Sequence, residues 1–196
     1  MARIFCIANQ KGGVGKTTTT VNLAAGLSRI GQRVLLVDLD PQGNATMGSG
    51  VDKRTLDPSV YDVLLGAASV RDAARPVEKV GYSVVGANRE LAGAEVELVN
   101  LDQRERRLKN ALAEVADDYD FILIDCPPSL SLLTLNGLTS AHGVIVPMQC
   151  EYFALEGLSD LVNSIKQVHA NLNRDLHLIG LLRVMFDPRI TLQQQV

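Results

Sequence analysis

Short apolar runs alternate along this chain with longer segments of helical periodicity. The runs are rich in valine, isoleucine and leucine without alternating polar positions, which is typical of strands covered on both faces of a sheet. They predict strands over residues 3–8, 33–38, 82–86, 121–125, 143–148 and 178–185. Helices are predicted over residues 16–30, 60–65, 103–116, 132–141 and 155–171.

The regular alternation of strands and helices predicts the fold class. Strand–helix–strand units form right-handed crossovers, so we expect an α/β fold with a doubly wound, mostly parallel sheet and helices on both faces. Residues 43–59, which contain glycine and proline, are predicted to form a surface loop and not a domain boundary. We therefore expect a single domain over residues 1–196.

The composition restricts the classes of protein further. The 196 residues are 46% apolar and 21% charged, as in an ordinary globular protein, and the net charge of −3 gives no overall positive field for nucleic acid. No apolar run approaches the ~20 residues that span a bilayer, and no signal region opens the chain, so we expect no membrane association. Cys6, Cys126 and Cys150 lack metal-ligand spacing and predict reduced thiols in a cytoplasmic protein.

The strongest chemical signal is the sequence QKGGVGKTT at positions 10–18, which follows the first predicted strand and opens the first predicted helix. Glycines allow consecutive backbone N–H groups to turn toward phosphate oxygens, and the start of the helix adds its positive dipole end. Lys16 supplies a charge for the β- and γ-phosphates, and the Thr17 hydroxyl is placed to bind Mg²⁺. This P-loop predicts nucleotide binding by Lys11, Gly12, Gly13, Val14, Gly15, Lys16, Thr17 and Thr18.

The P-loop departs from the usual pattern at its beginning. Gln10 occupies the position where a common P-loop has its first glycine, and Lys11 precedes the two glycines. This arrangement resembles the deviant Walker A signature, in which the additional lysine serves a nucleotide held between two subunits.

Two carboxylates lie at the ends of predicted strands. Asp40 follows the second strand in the sequence DLDPQGN (38–44), and Asp125 ends the apolar strand FILID. Because ligands bind at the carboxyl ends of parallel strands, we expect both groups to lie beside the P-loop. A carboxylate there can hold Mg²⁺ through its water shell, so Thr17, Asp40 and Asp125 are the predicted metal residues.

Several motifs together resemble those of the ParA/Soj chromosome-partition ATPases. Besides the P-loop and residues 38–44, they are AGAE (92–95), DCPPS (125–129), LTLN (133–136) and PMQCEYFALEG (147–157), and they span essentially the whole chain. The resemblance implies a P-loop ATPase that uses ATP and Mg²⁺ and forms a homodimer with ATP. It also implies non-specific DNA binding, a ParB/Spo0J-type partner that stimulates slow hydrolysis, and a cytoplasmic, nucleoid-associated protein that segregates chromosome or plasmid.

The resemblance also implies residue roles. Lys11 is expected to reach the partner subunit's phosphates and stabilise charge in the transition state, while Lys16 holds phosphate. Asp40 is expected to orient the attacking water, and Asp125 acts through the metal's water shell. Arg189 lies where the family has a basic residue used for DNA, and a solvated surface arginine is the alternative.

The last residues, 190–196, are predicted to form the opening turns of a further helix without a stop signal. The family continues beyond this point with closing helices and a loop that contacts adenine. We therefore expect the chain to be a fragment that lacks its C-terminal portion and leaves apolar sheet surface open.

Three other classes share the P-loop. A MinD-like ATPase positions division proteins from the membrane by a C-terminal amphipathic helix, but the similarity of residues 149–157 favours partition. An amide-forming synthetase requires a constellation for a small carbon substrate, which the sequence does not display. The nitrogenase iron protein requires two cluster cysteines, whereas no second cysteine in the required pattern accompanies Cys126.

Overall fold

The computed structural model describes residues 1–151 and 154–195 of the chain. Within them, the strands are β1 (Arg3–Ile7), β2 (Val34–Asp38), β3 (Ala74–Val77), β4 (Tyr82–Val85), β5 (Phe121–Asp125), β6 (Gly143–Gln149) and β7 (His177–Val184). They form one seven-stranded sheet in the order β3-β4-β2-β5-β1-β6-β7. All neighbours are parallel except β3, which runs antiparallel to β4.

Helices cover both faces of this sheet, as expected for crossovers between parallel strands. They are α1 (Lys16–Arg29), α2 (Asn44–Gly48), α3 (Val60–Leu65), α4 (Val70–Ala73), α5 (Leu91–Leu98), α6 (Arg107–Ala113), α7 (Leu132–Ser140), α8 (Ala154–Asn171) and α9 (Thr191–Gln195). The predicted doubly wound α/β fold is therefore confirmed. No helix within the described ranges is both long and apolar enough to cross a membrane.

Burial on two faces explains the continuous apolar strands. In β2, Leu35 and Val37 belong to the larger core cluster, whereas Val34 and Leu36 belong to a second cluster that includes Ala24 of α1. Because successive side chains point to opposite faces, a strand between two helical layers needs apolar residues at every position. All six predicted strands are found with ends within one residue of those predicted.

The edge strand β3 was not predicted. Its sequence, ARPV, contains an arginine and a proline, and proline cannot donate a hydrogen bond to a ladder. The strand nevertheless pairs with β4 because an edge position requires hydrogen bonds on one side only. Helix α5 was also missed, since Gly93 interrupts its apolar pattern.

The helix predicted over residues 103–116 is wrong at both ends, since α6 covers only Arg107–Ala113. Gln103 has a φ of 53°, which is incompatible with a right-handed helix. The side chain of Asn136 on α7 accepts a hydrogen bond from the Leu108 N–H and donates one to the Arg104 carbonyl. A side chain 28 residues away thus organises the start of α6.

The prediction of a surface loop over residues 43–59 is also wrong. This segment contains α2 and a short 3₁₀ helix over Lys53–Thr55. Ala45, Thr46 and Ser49 are buried, so part of the segment belongs to the protein interior. Short helices with few apolar residues carry little periodicity, which is why the sequence pattern gave no signal.

The last strand of the sheet presents apolar side chains to solvent. In β7, the exposed fractions of Leu178, Ile179, Leu181 and Leu182 lie between 41% and 48%.

The helix expected at the end of the chain is found as α9. The three cysteines, Cys6, Cys126 and Cys150, are buried free thiols.

Candidate functional site

The P-loop joins the carboxyl end of β1 to α1. Gly13 and Gly15 have φ values of 73° and 80°, a left-handed backbone that suits glycine and lets the loop curl over the helix start. The Asn9 side chain fixes the beginning of the loop, since it donates to the Pro147 carbonyl at 2.7 Å and accepts from the Lys11 N–H at 3.0 Å. Among the described residues no side chain caps α1, so its first N–H groups suit an anionic ligand.

Lys16 is the buried cation of the site. Its Nζ donates to the Lys11 carbonyl across the loop at 3.0 Å. Burial lowers the pKa of Lys16, while the charges of Asp125 and Asp40 act in the opposite direction. The structure thus brings the P-loop lysine close to both predicted carboxylates, which came from separate strands of the sequence.

Asp125 is held by two threonine hydroxyls of α1. Thr17 donates to its Oδ2 at 2.7 Å, and Thr20 donates to its Oδ1 at 3.0 Å. Burial raises the pKa of Asp125 to about 6, although both hydroxyls lower it. Hydroxyl and carboxylate oxygens are the hard ligands that Mg²⁺ prefers, so this pair fits a magnesium site that phosphate and water complete. Thr20 was not predicted, although it lies in the run TTTT.

Asp38 is a further buried carboxylate that the sequence prediction did not include among the site residues. It is the register partner of Asp125 at the ends of β2 and β5. Burial first, and the charge of Asp125 second, raise the pKa of Asp38 to about 7. Its oxygens accept hydrogen bonds from Thr46 and from the Asp40 N–H. The only sequence signal was its position at the end of an apolar strand.

Asp40 lies on the loop that follows β2 and is partly exposed. Its Oδ1 accepts a hydrogen bond from the Gln42 N–H at 2.9 Å, which closes a tight turn. Its charge acts on both Lys16 and Asp125, in agreement with the prediction that the three groups share one edge of the sheet.

Lys11 forms an ion pair with Glu151, which the sequence prediction missed. Lys11 Nζ lies 2.9 Å from Glu151 Oε2, and the two side chains are 42% and 53% exposed. Exposed pairs of this kind contribute about 0–1 kcal/mol, so the lysine can exchange this partner for another at little cost. Glu151 belongs to the quoted motif at 147–157, of which Tyr152 and Phe153 lie outside the described residues.

Arg189 lies beyond the end of β7 on the surface. Its guanidinium contacts Asp187, with 2.6 Å between Arg189 Nη2 and Asp187 Oδ2, and its side chain is 87% exposed. Val184, the last residue of β7, packs near the P-loop: its Cγ1 is 3.7 Å from where a Cβ on Gly15 would lie. Arg189 therefore follows a strand that ends beside the P-loop, but it is paired with an acidic neighbour.

The fold and site define a class of protein. A phosphate-binding loop after β1, a buried lysine and strand-end carboxylates at one edge of a parallel sheet are the parts of a P-loop nucleoside triphosphatase. The additional lysine at position 11 is that of the deviant Walker A type.

Comparison with known proteins identifies the family. A family profile described as an AAA domain matches residues 2–178. The sporulation initiation inhibitor protein Soj of Bacillus subtilis is 54% identical over 196 residues, which cover all of this chain and 78% of Soj. The chromosome partitioning protein ParA of Myxococcus xanthus is 52% identical over all of this chain and 69% of that protein. The chain belongs to the ParA/Soj family of partitioning ATPases, and it is an ATPase.

Solved structures share the fold of this chain. A plasmid partition protein from Borrelia burgdorferi has a TM-score of 0.86 and 26% identity, covering 97% of this chain and 83% of the other. A structure named cobyrinic acid a,c-diamide synthase, from Mycobacterium smegmatis with bound ATP analogue and magnesium, has a TM-score of 0.96 and 47% identity. That match covers 100% of this chain and 80% of the other.

Proposed function

We propose that this ATPase moves DNA by a nucleotide-dependent cycle. Mg-ATP binding closes two subunits face to face over the nucleotides, and the dimer binds duplex DNA without sequence preference. A ParB-type partner stimulates hydrolysis and thereby releases the DNA, which segregates a chromosome or plasmid. Residues 1–196 form one P-loop domain in this proposal.

One observation carries the proposal. The P-loop, Asp40 and Asp125 meet at one edge of the sheet beside the half-exposed Lys11. All 196 residues of this chain align with Soj at 54% identity. A lysine on the rim of its own nucleotide site can contact a second subunit, whereas a buried one cannot.

Lys16 and the P-loop backbone bind the phosphates in this cycle. The Lys16 ammonium exchanges the Lys11 carbonyl for phosphate oxygens, and the uncapped N–H groups of α1 add donors. Residues 11–18 of the P-loop form this cradle. Holding the triphosphate in one orientation is the main catalytic contribution of such sites.

Thr17 and Asp40, together with Asp125 acting through the water shell, would hold a magnesium ion in the proposal. Such an ion would supply positive charge against the phosphate oxygens. Thr17 and Thr20 keep the Asp125 carboxylate facing the P-loop, so the metal residues are ordered before nucleotide arrives.

Asp40 and Lys11 act on the reaction itself. Asp40 orients the attacking water, while the hydrogen bond from the Gln42 N–H to its Oδ1 holds the carboxylate on a closed turn. Lys11 leaves Glu151 and places its ammonium against the partner subunit's phosphates, where it stabilises the transition state. Arg189 contributes to DNA binding after exchanging Asp187 for a phosphate.

Co-sedimentation with non-specific duplex DNA tests the proposal. Asp40→Ala protein, which we expect to bind ATP but hardly hydrolyse it, is mixed with DNA with and without Mg-ATP at two salt concentrations. We expect binding that requires ATP and weakens with salt, since phosphate contacts release counterions. Arg189→Ala on the same background should bind more weakly, while Arg29→Ala, at the end of α1, serves as the matched control.

Two further outcomes separate the alternatives. Binding to vesicles of anionic lipid in the absence of DNA binding would favour the MinD-like function. The name of the Mycobacterium smegmatis structure suggests an amide-forming synthetase. That function predicts ATP turnover that depends on an amide donor and a carboxylic acid and is unchanged by DNA.

A further inference from the structure

Thr46 lies in α2 and is completely buried, with an exposed fraction of 0%. Its backbone N–H donates to Asp38 Oδ2 at 2.8 Å, and its hydroxyl donates to the same oxygen at 2.7 Å. The hydroxyl also accepts a hydrogen bond from the Ala87 N–H at 2.9 Å. One threonine therefore joins a buried carboxylate to the backbone just beyond β4.

The other oxygen of Asp38 continues this connection to the catalytic loop. Asp38 Oδ1 accepts a hydrogen bond from the Asp40 N–H at 3.1 Å. A chain of hydrogen bonds thus runs from Ala87 through Thr46 and Asp38 to Asp40. Networks of this kind in a low-dielectric interior restrict the groups at their ends more than isolated hydrogen bonds do.

Close packing holds the same loop from its other side. Gly43 has a φ of 61°, and a Cβ at this position would lie 2.5 Å from the Ala87 carbonyl oxygen. Lys53 Nζ donates to the Gln42 carbonyl at 2.6 Å. The loop from 40 to 43 is therefore fixed against the segment that follows β4.

The cost of this arrangement indicates a purpose beyond packing. Burying a carboxylate is unfavourable, and apolar residues of similar volume often stabilise an interior as well or better. The hydrogen bonds of Asp38 are directed to Thr46 and to the backbone of Asp40, not to a basic side chain of the described residues.

We propose that Thr46 is a positioning residue for ATP hydrolysis, because its buried hydroxyl orients Asp38 and Asp38 fixes the backbone that carries Asp40. The inference rests on the proposed role of Asp40. Thr46 touches neither nucleotide nor water in this mechanism. It acts through the placement of the carboxylate, and a displacement of about 1 Å can lower a catalytic rate by about a hundredfold.

The test compares Thr46→Val, which removes the hydroxyl at nearly constant volume, with Thr46→Ser, which keeps it. Ser49→Ala is the matched control. Ser49 is equally buried on the next turn, and its hydroxyl donates to the Ala45 carbonyl and contacts the Tyr82 hydroxyl instead of Asp38. For each protein, steady-state kcat and KM for Mg-ATP, nucleotide Kd by calorimetry and Tm are measured, with Asp40→Ala alongside.

We expect kcat of Thr46→Val to fall about ten- to a hundredfold while KM and nucleotide Kd change less than about twofold. Thr46→Ser should retain most of the wild-type kcat. Ser49→Ala should have a lower Tm but a wild-type kcat. Wild-type kcat in Thr46→Val, or an equal loss of kcat in Ser49→Ala, overturns the inference.

The Asp40→Ala variant distinguishes the role of Asp40 from the role of Thr46. Wild-type turnover in Asp40→Ala would overturn the role of Asp40 and this inference with it. A normal rate in Thr46→Val beside an inactive Asp40→Ala overturns the inference alone.

Discussion

Asp38 and Asp125 lie opposite each other at the carboxyl ends of adjacent parallel strands, and the strand of Asp125 is the direct neighbour of β1, which leads into the P-loop. Both carboxyl groups are buried, and burial raises their pKa values to about 7 and about 6. Two buried carboxylates in register repel each other when both are ionised, which is unfavourable for folding. Threonine hydroxyls from α1 and α2 bind them from different elements.

The pKa values predict how stability depends on pH. Asp125 titrates near pH 3.8 when unfolded and at about 6 when folded, so the folded protein binds more protons in between. This contribution to stability is fully present below the pKa of Asp125 in the unfolded chain. It is lost as the pH rises through the pKa of Asp125 in the folded protein. Relative to Asp125→Asn, the wild type should therefore lose about 1 kcal/mol of unfolding free energy between pH 5 and 8.

Urea denaturation of both proteins at several pH values measures this difference. Parallel stability profiles for wild type and Asp125→Asn would contradict the raised pKa. Asp120→Asn is a useful control, because Arg33 holds the pKa of that exposed carboxyl down at about 2. Its profile should run parallel to that of the wild type in this range.

Lys16→Ala should abolish Mg-ATP binding. The buried ammonium is the cation inside the P-loop, and no other lysine or arginine of the described P-loop residues is buried. Isothermal titration calorimetry with Mg-ATP checks this, and Lys109→Ala on α6 is the control. Tight binding that persists in Lys16→Ala would refute the assignment of the nucleotide site.

Lys11→Ala should bind nucleotide but fail to form the ATP-dependent dimer. The side chain stands at the rim of the loop, while the backbone that binds phosphate remains intact. Light scattering with and without Mg-ATP measures the mass. Glu151→Gln should still dimerise, because it removes the competing carboxylate and leaves the lysine. A normal ATP-dependent mass in Lys11→Ala would show that this lysine does not cross the interface.

Gly43→Ala should destabilise the protein more than Gly50→Ala. Both glycines have positive φ, but a Cβ at position 43 would collide with the Ala87 carbonyl, whereas position 50 has open space within 4 Å. Strain at positive φ costs about 1–3 kcal/mol and is common to both, so their difference isolates the collision. Equal unfolding free energies in urea would mean that the loop moves freely away from Ala87.

Local patterns predicted the fold and much of the site. The strand ends, the P-loop and the carboxylates Asp40 and Asp125 follow from apolar runs and from the rule that parallel strands end at one edge. The same rule applies to Asp38, which ends β2 as Asp125 ends β5, although the prediction did not use it. Thr46 and Glu151 could not be found in this way. Their roles come from contacts with residues distant in sequence, such as Ala87 for Thr46 and Lys11 for Glu151.

The same distinction explains the errors in secondary structure. Asn136 organises the start of α6 from another helix, so the periodicity of residues 103–116 overstated the helix length. Thr46 can be buried because its hydroxyl has hydrogen-bond partners in the interior. In the sequence, a threonine flanked by glycines is typical of a surface turn. Hydrogen bonds between polar groups that are distant in sequence produce no hydrophobic periodicity, so a sequence pattern does not reveal them.

The exposed leucines and isoleucine of β7 affect how the proposed nucleotide-driven dimer is measured. Within the part of the chain that is described, β7 is one of the two edge strands, and its free backbone edge and apolar side chains favour pairing between molecules at high concentration. Such association depends on concentration and temperature, not on ATP. A dilution series without nucleotide therefore defines the baseline mass, and only the increment that Mg-ATP adds at constant dilution reports the closing of two ATPase sites.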